Sequence, residues 1–161
     1  MIILISDANI LIDMEEGGLV ELFFSLPHSF RVPDIIFYDE LEEQHSNLLE
    51  SGLELGELSP ETLTYALRLS ETAHGPSRND CFALSLAKQE RCPLLTGDRA
   101  LRVLAEAEDV EVKGTIWIVE ELIHHNFMTI AEAENAYNRM RDAGRRLPWE
   151  TAYRRLNELN L

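Results

Sequence analysis

Four acidic residues, spread over the first hundred positions, are the residues of this sequence best suited to chemistry. Asp7 follows an apolar run at the start of the chain, and Asp98 follows the stretch "PLLTG". Glu40 lies in the acidic run "DELEE", and Asp80 lies in "SRND". Carboxylates that lie close together repel one another, so they need a counter-ion or one of them takes up a proton. Because Mg²⁺ and Mn²⁺ prefer oxygen ligands, such a set is typical of a divalent metal site.

Each of these acids also has a purely structural interpretation. Asp7 and Asp98 are suited to cap the helices that follow them, because aspartate is among the preferred N-cap residues. Asp80 stands three residues after Ser77, in the pattern of a capping box. Glu40 fits a solvated helix surface. For each acid taken alone, the structural interpretation is at least as strong as a catalytic one. A joint role is favoured because the three aspartates are all predicted at helix starts, near the positive ends of helix dipoles.

The segments that must position these acids alternate between short apolar strands and helices. This alternation predicts an α/β domain with a mostly parallel sheet. Ligands of such sheets collect beyond the carboxyl ends of the strands, where we expect Asp7 and Asp98 to lie. Predicted strands are Ile2–Ile5, "SFRVP", a short segment between Gly52 and Gly56, "PLL" and "VEV". Predicted helices are "NILIDM", "LVELFFSL", "DIIFYDELEEQ", "LSPETLTYALRLSE", "PSRNDCFALSLAKQE", "RALRVLAEAE", "GTIWIVEELIHHN", "IAEAENAYNRMRDAG" and "LPWETAYRRLNEL". The fourth of these is predicted to begin with Ser59 as N-cap and Pro60 at the first helical position.

The charge balance limits the kinds of partner. Of 161 residues, 14 are basic and 29 acidic, which gives a net charge of −15. This balance argues against a broad basic face for nucleic acid, but it is compatible with a nuclease whose acids bind metal ions. Residues 101–161 carry eight of the 14 basic residues. A local basic surface near the C-terminus is therefore predicted.

The cysteines and the adjacent histidines do not indicate a metal site. Cys81 and Cys92 stand alone, and the sequence has no CxxC or HxH pattern, so zinc is disfavoured. His124 and His125 precede Asn126 at a predicted helix end, where the helix dipole favours histidine. Free thiols, the absence of a signal-peptide pattern and the absence of a membrane-spanning stretch predict a cytoplasmic protein.

Four stretches, taken in order, resemble the PIN domain family. They are "SDANILID" at the start, "VPDIIFYDEL" near residue 40, "SRNDCFALSLAK" near residue 80 and "LLTGDRALR" near residue 98. The family comprises metal-dependent ribonucleases and includes the VapC toxins of toxin–antitoxin pairs. The resemblance implies a three-layer α/β/α sandwich with a short, mostly parallel central sheet, plus C-terminal helices. It predicts one PIN-like domain over residues 1–161, with a core over about 1–125 and a helical extension over about 129–161.

The resemblance assigns roles residue by residue. Asn9 and Thr96 match polar positions that support the family's site. Glu43 is the alternative to Glu40 as a metal ligand, because it lies three residues further along the same helix face. "TIWIVEELI" resembles a late strand-to-helix segment of the family, which predicts a strand at Ile116–Ile118. The residues that match the family's catalytic acids and Mg²⁺ or Mn²⁺ ligands are Asp7, Glu40, Asp80 and Asp98.

The activity implied by the resemblance is hydrolysis of RNA phosphodiester bonds. The acids would bind the metal, and Glu40 is a candidate acceptor of the attacking water's proton. Arg78 and Arg99 are candidate RNA contacts, because arginine suits phosphate, although surface solubility explains each equally well. The resemblance further implies a homodimer and, if the protein is a toxin, an antitoxin protein as its partner.

The C-terminal segment offers a separate candidate contact surface. Trp149 can stack on bases, and Arg145, Arg146, Arg154 and Arg155 lie near it in sequence. This surface could contact RNA, a second subunit or an antitoxin peptide.

Three other hypotheses compete with the ribonuclease. A catalytically idle PIN-like module that binds protein or RNA is disfavoured, since all four acids are present. A haloacid-dehalogenase-like phosphatase needs a second acid two residues after its nucleophile, where this chain has Asn9. A dinucleotide-binding enzyme is disfavoured because no glycine-rich phosphate loop follows the first strand.

Overall fold

The computed structural model of the chain, which describes residues 2–160, is built around a five-stranded sheet. All strand pairs are parallel, and the strand order is β3-β2-β1-β4-β5. Helices flank this sheet in the three-layer α/β/α arrangement that the sequence predicts. The strands are β1 (Ile3–Ser6), β2 (Ser29–Pro33), β3 (Glu54–Gly56), β4 (Leu94–Leu95) and β5 (Val112–Lys113).

The helices connect consecutive strands and extend beyond the last one. The first seven are α1 (Ala8–Glu16), α2 (Val20–Ser25), α3 (Asp34–Ile36), α4 (Glu42–His45), α5 (Asn47–Ser51), α6 (Pro60–Thr72) and α7 (Arg78–Glu90). The last four are α8 (Arg99–Ala107), α9 (Thr115–His124), α10 (Ile130–Asp142) and α11 (Trp149–Leu159). A single π-helical turn (Phe37–Leu41) joins α3 to α4.

The core forms because the central strands are covered on both faces. Leu4 and Ile5 of β1 and Leu94 and Leu95 of β4 are all fully buried. Burial of each such side chain stabilises the fold by about 2 kcal/mol. Helices α6 and α7 pack together, and α7 contacts β1 and β2. Helices α1, α2, α9 and α10 form a second packed group, and α11 packs on α10.

Several predicted boundaries agree with the structure because local signals determine them. Ser59 caps α6 by accepting the Thr62 N–H, with Pro60 at the first helical position. Helix α9 ends at His124 with His125 as its C-cap, within two residues of the helix end that the sequence predicts at Asn126. Cys81 is buried, Cys92 is partly buried, and neither forms a disulfide.

The predicted strand at Ile116–Ile118 is wrong. Those residues lie in α9, and the last strand is the earlier pair Val112–Lys113. Gly114 separates strand from helix, and Ile118 donates its N–H to the Gly114 carbonyl, 3.2 Å away. The apolar run that suggests a strand is instead one face of a helix, on which Ile118, Val119 and Leu122 are fully buried.

Among residues 2–160, no helix is both long enough and apolar enough to cross a membrane.

Candidate active site

The register of the two central strands brings Asp7 next to Thr96. Ser6 pairs with Leu95, and the Asp7 N–H donates to the Leu95 carbonyl at 3.0 Å. The residue after each strand therefore lies at the same edge of the sheet. There the Thr96 hydroxyl donates to Asp7 Oδ2 at 2.5 Å, and the Ile10 N–H donates to Asp7 Oδ1 at 3.0 Å. Asp7 is thus fixed as the N-cap of α1, with only 5% of its surface exposed.

Asp7 is a poorly compensated buried acid. Burial raises its pKa from 3.8 to about 6, although the hydrogen bonds from Thr96 and Ile10 lower it. The charged side chains with the largest effects on this pKa are two further acids, Asp80 and Asp13, and both raise it. The pKa therefore indicates that a positive charge near Asp7 would be favourable.

Thr96 links Asp7 to the second strand-end acid. Its hydroxyl accepts the Asp98 N–H at 3.0 Å while donating to Asp7. Asp98 in turn caps α8, because its Oδ2 accepts the Leu101 N–H at 2.9 Å. Asp98 is exposed and Asp7 is buried. The two carboxylates therefore lie at the same edge of the sheet, but Asp98 is nearer the protein surface.

The third acid comes from the start of α7. Asp80 forms the expected capping box: its Oδ2 accepts the Ser77 N–H at 2.9 Å, and its own N–H donates to Ser77 Oγ at 3.0 Å. The charge of Asp80 raises the pKa of both Asp7 and Glu40. Asp80 therefore lies close enough to both to act on them electrostatically.

Glu40 is held beside the start of α7, within reach of the Asp80 charge. Burial raises the pKa of Glu40, which the Asn79 hydrogen bond lowers and the charges of Asp39 and Asp80 raise further. Asn79 Nδ2 donates to Glu40 Oε2 at 3.1 Å and to Asp39 Oδ2 at 2.8 Å. Glu43 is exposed, and the hydrogen bonds described for residues 2–160 do not connect it to the other acids.

The π-helical turn explains how Glu40 faces α7. Phe37 and Leu41 are buried at its two ends, while Tyr38, Asp39 and Glu40 between them are exposed. A π-helical turn widens the helix by one residue, and such turns often occur at functional sites. Asp39 and Asn79, which sequence reasoning missed, each directly precede a predicted site acid.

Asp7, Asp80 and Asp98 therefore do cap helices, but within residues 2–160 capping leaves an oxygen of Asp80 and of Asp98 without a hydrogen bond. Asp80 and Asp98 each use Oδ2 in a cap, and Oδ1 of each receives no hydrogen bond among the described residues. Glu40 likewise has Oε1 without a donor in that part of the chain. Capping and metal binding are compatible at these positions.

The donor set fits a hard divalent cation in an open site. No group of three or more Asp, Glu, His or Cys side chains within residues 2–160 lies close enough to form a ready-made metal cluster. Mg²⁺ usually keeps several waters and binds through one or two carboxylates. The repelling acids and their remaining oxygens meet that requirement, whereas zinc would need a closed nitrogen or sulfur set.

Asn9, which is predicted to support the site, contacts the C-terminal segment and lines the same cavity as Asp98. Its backbone and side-chain oxygens both accept from Arg145 Nη2 at 3.2 Å. Arg145 Nε also donates to Asp13 Oδ1 at 2.7 Å, and Thr115 donates to Asp13 Oδ2 at 2.8 Å. Sequence reasoning missed Asp13, although the buried face of α1 gives the signal, since it is an acid among apolar neighbours.

The two arginines proposed for RNA contact lie at the same edge. Arg78 is the first residue of α7 and Arg99 the first residue of α8, and both side chains are exposed. Helix N-termini attract anions, so both positions are compatible with a phosphate nearby.

The predicted C-terminal contact surface divides into separate parts. Arg155 pairs with Glu120 through two bonds of 2.7 Å, and Arg154 pairs with Glu158 on its own helix. Trp149 is partly buried and packs on Tyr153. The arginines Arg145 and Arg146 line a cavity of about 390 Å³ that Asp98 also lines.

The fold is that of an α/β protein, and its acidic edge lies beyond the carboxyl ends of the strands, where such proteins bind their ligands. A family model described as a PIN domain matches residues 3–160. The chain therefore belongs to the PIN domain family, whose members are generally nucleases and typically use divalent metals. The match runs through α10 and α11, and the division of the chain into a core and an extension stays a prediction. A search of curated proteins gave no match.

Proposed function

We propose that this protein is an endoribonuclease that hydrolyses RNA phosphodiester bonds with Mg²⁺ or Mn²⁺. The observation that supports this proposal most directly is the poorly compensated charge at the carboxyl edge of the sheet. Asp7 is buried, its pKa is raised to about 6, and acids rather than bases are its main charged neighbours. An α/β protein that retains such a charge gains from a cation bound at that edge.

The acids have distinct parts in this proposal. Asp7, Asp80 and Asp98, with Glu40, provide the oxygen ligands. A divalent cation, when bound there, supplies activation of water and screening of phosphate charge. Glu40 is exposed and has a raised pKa, which suits it to accept the proton of the attacking water.

Thr96 and Asn79 hold these acids in place. The Thr96 hydroxyl fixes Asp7 and the backbone of Asp98 relative to each other. Asn79 fixes Glu40 beside the start of α7. Both are positioning residues, because they act through the carboxylates rather than on the substrate.

The test is cleavage of a labelled single-stranded RNA pool with Mn²⁺ or Mg²⁺, with EDTA as the metal-free control. We expect metal-dependent cutting by the wild type and a loss of at least about 100-fold in Asp80→Asn, because that change removes a ligand charge and keeps the cap acceptor. Glu40→Gln should lose activity too, whereas the matched variant Glu43→Gln on the same helical segment should cleave like the wild type.

Two outcomes would contradict the proposal. A folded wild-type protein that binds Mn²⁺ and leaves the RNA pool intact would favour an idle binding module. Cutting by the purified protein that survives both EDTA and Asp80→Asn would show that it needs neither the metal nor this acid, and the proposed mechanism would be wrong. The toxin role, an antitoxin partner and a homodimer stay predictions, which co-expression with a neighbouring small gene product and the mass in solution would test.

A further inference from the structure

We propose that Arg145, in the turn between α10 and α11, binds a backbone phosphate of the RNA next to the acidic edge. This inference rests on the proposed function. It identifies Arg145 as a residue that binds the negatively charged phosphate of the RNA substrate. It assigns the 390 Å³ cavity lined by Asp98, Arg145 and Arg146 to the sugar-phosphate chain flanking the cleaved bond.

The need for such a residue follows from the overall charge. The chain carries −15, and its proposed ligands are acids, so a phosphodiester approaching this edge is repelled unless cations lie close by. Arg78 and Arg99 are exposed, and no hydrogen bond described within residues 2–160 fixes either side chain. Arg145 differs because its position is determined by both backbone and side-chain bonds.

The backbone around Arg145 is set by the end of α10. Gly144 adopts a left-handed conformation, with φ of +83°. Its N–H donates to the Arg141 carbonyl, and the Arg145 N–H donates to the Met140 carbonyl, both at 3.0 Å. This pair of bonds is the Schellman motif, which ends the helix and places Arg145 directly after the reversal.

The side chain of Arg145 is oriented by three acceptors on α1. Nε donates to Asp13 Oδ1 at 2.7 Å, and Nη2 donates to both oxygens of Asn9 at 3.2 Å. Asp13 is itself buried and held by Thr115. Nη1 donates to no residue within the described chain, so its two N–H groups are available. A guanidinium held in this way loses little entropy when it binds phosphate.

The same cavity connects Arg145 to the proposed site. Asp98 lines it from the start of α8, and Arg146, which is exposed, lines it from the neighbouring position. A phosphate bound by Arg145 would therefore belong to the same strand of RNA that the acids engage.

The experiment measures binding of a labelled single-stranded oligoribonucleotide by fluorescence anisotropy from about 50 to 200 mM KCl, with Mg²⁺ present. All proteins carry Asp80→Asn to suppress cleavage. Arg145→Gln should weaken binding about tenfold and reduce the slope of log Kd against log salt by about 0.7, the loss of one phosphate contact to a single strand. The matched control is Arg91→Gln, which removes one exposed charge at the opposite edge of the sheet.

A second variant separates phosphate binding from a structural effect, because Arg145→Gln alone leaves Asp13 with less compensation. The double change Asp13→Asn, Arg145→Gln keeps the net charge and restores a hydrogen-bonding pair. We expect it to remain folded by circular dichroism and to show the same weakened affinity and reduced slope as Arg145→Gln.

The outcomes distinguish this inference from the proposed function. If both Arg145 variants bind RNA with unchanged affinity and slope while the wild type cleaves RNA, Arg145 is only a structural residue and the inference is wrong. If they bind more tightly, Arg145 blocks the site rather than serving it. If the wild type does not cleave and the Asp80→Asn protein does not bind RNA, both proposals fail together.

Discussion

Helix α1 carries two buried carboxylates that are compensated in opposite ways. Asp13, in its second half, pairs with Arg145 at 2.7 Å and accepts the Thr115 hydroxyl. Asp7, its N-cap, accepts only uncharged donors, Thr96 and Ile10, and its main charged neighbours are acids. Burial raises the pKa of both, but the Arg145 charge and hydrogen bond lower that of Asp13.

The difference separates a buried acid with an arginine partner in the chain from a buried acid without a basic partner among residues 2–160. A buried acid that the chain itself neutralises contributes to folding when its partner is present. A buried acid without such a partner costs stability at neutral pH, and a protein keeps it where an external cation provides the missing charge. Substitutions of Asp7 and Asp13 can therefore be compared directly, each as the control for the other.

The largest effect on stability is expected from breaking the internal pair. Asp13→Ala removes the acceptor of Arg145 Nε and of the buried Thr115 hydroxyl, and should lower the free energy of unfolding by about 3 kcal/mol. Urea denaturation at pH 7.5 in EDTA measures this. A loss below about 1 kcal/mol would show that the pair is hydrated rather than structural, and the contrast with Asp7 would disappear.

The sequence predicted the parts of the fold that depend on local signals. The strand "SFRVP", the cap at Ser59 and the capping box at Ser77 and Asp80 depend on residues close in the chain, and all agree with the structure. The strand predicted at Ile116–Ile118 is wrong, because an apolar run of that length fits a strand or a buried helix equally well.

The contacts of the site that sequence missed are long-range. Asn79 donates hydrogen bonds to Asp39 and Glu40, which lie 40 and 39 positions earlier in the chain. Arg145 reaches Asp13 from the far end of the sequence. No periodicity or spacing specifies such pairs, since they depend on how α7 and α10 pack against the rest. The four acids could be proposed from the sequence because three follow strands or begin helices, and because their order resembles that of a family.

A smaller effect, of opposite sign, is expected at Asp7. Its folded pKa of about 6 lies above the ordinary value of 3.8, so the cost of ionising it is absent below pH 3.8 and grows as the pH rises through 6. The full shift corresponds to about 3 kcal/mol. Asp7→Asn removes the charge and keeps one acceptor, for the Ile10 N–H, but its NH₂ group replaces the acceptor of the Thr96 hydroxyl. It should therefore raise the free energy of unfolding at pH 7.5 by about 2 kcal/mol rather than by the full shift.

The measurement is urea denaturation of both proteins in EDTA at pH 7.5 and pH 4.5. The stability gained by Asp7→Asn should shrink at pH 4.5, where the wild-type carboxyl is mostly protonated. The exposed Asp39, changed to Asn, is the control for loss of an acidic charge near the site. A gain of equal size at both pH values would mean that the charge of Asp7 is not what costs stability.

The smallest expected effect is stabilisation by Mn²⁺, and it distinguishes Asp7 from Asp13 most clearly. A cation bound at the acidic edge stabilises the folded state by mass action, about 1.4 kcal/mol at ten times its Kd. Mn²⁺ should therefore raise the midpoint of thermal unfolding of the wild type, and this rise should be lost in Asp7→Asn and Asp80→Asn. It should persist in Asp13→Asn, because the carboxyl of Asp13 is engaged by Arg145 and Thr115. If Asp13→Asn abolished the rise and Asp7→Asn kept it, the cation would bind on the Arg145 side of α1, and the assignment of the two acids would be reversed.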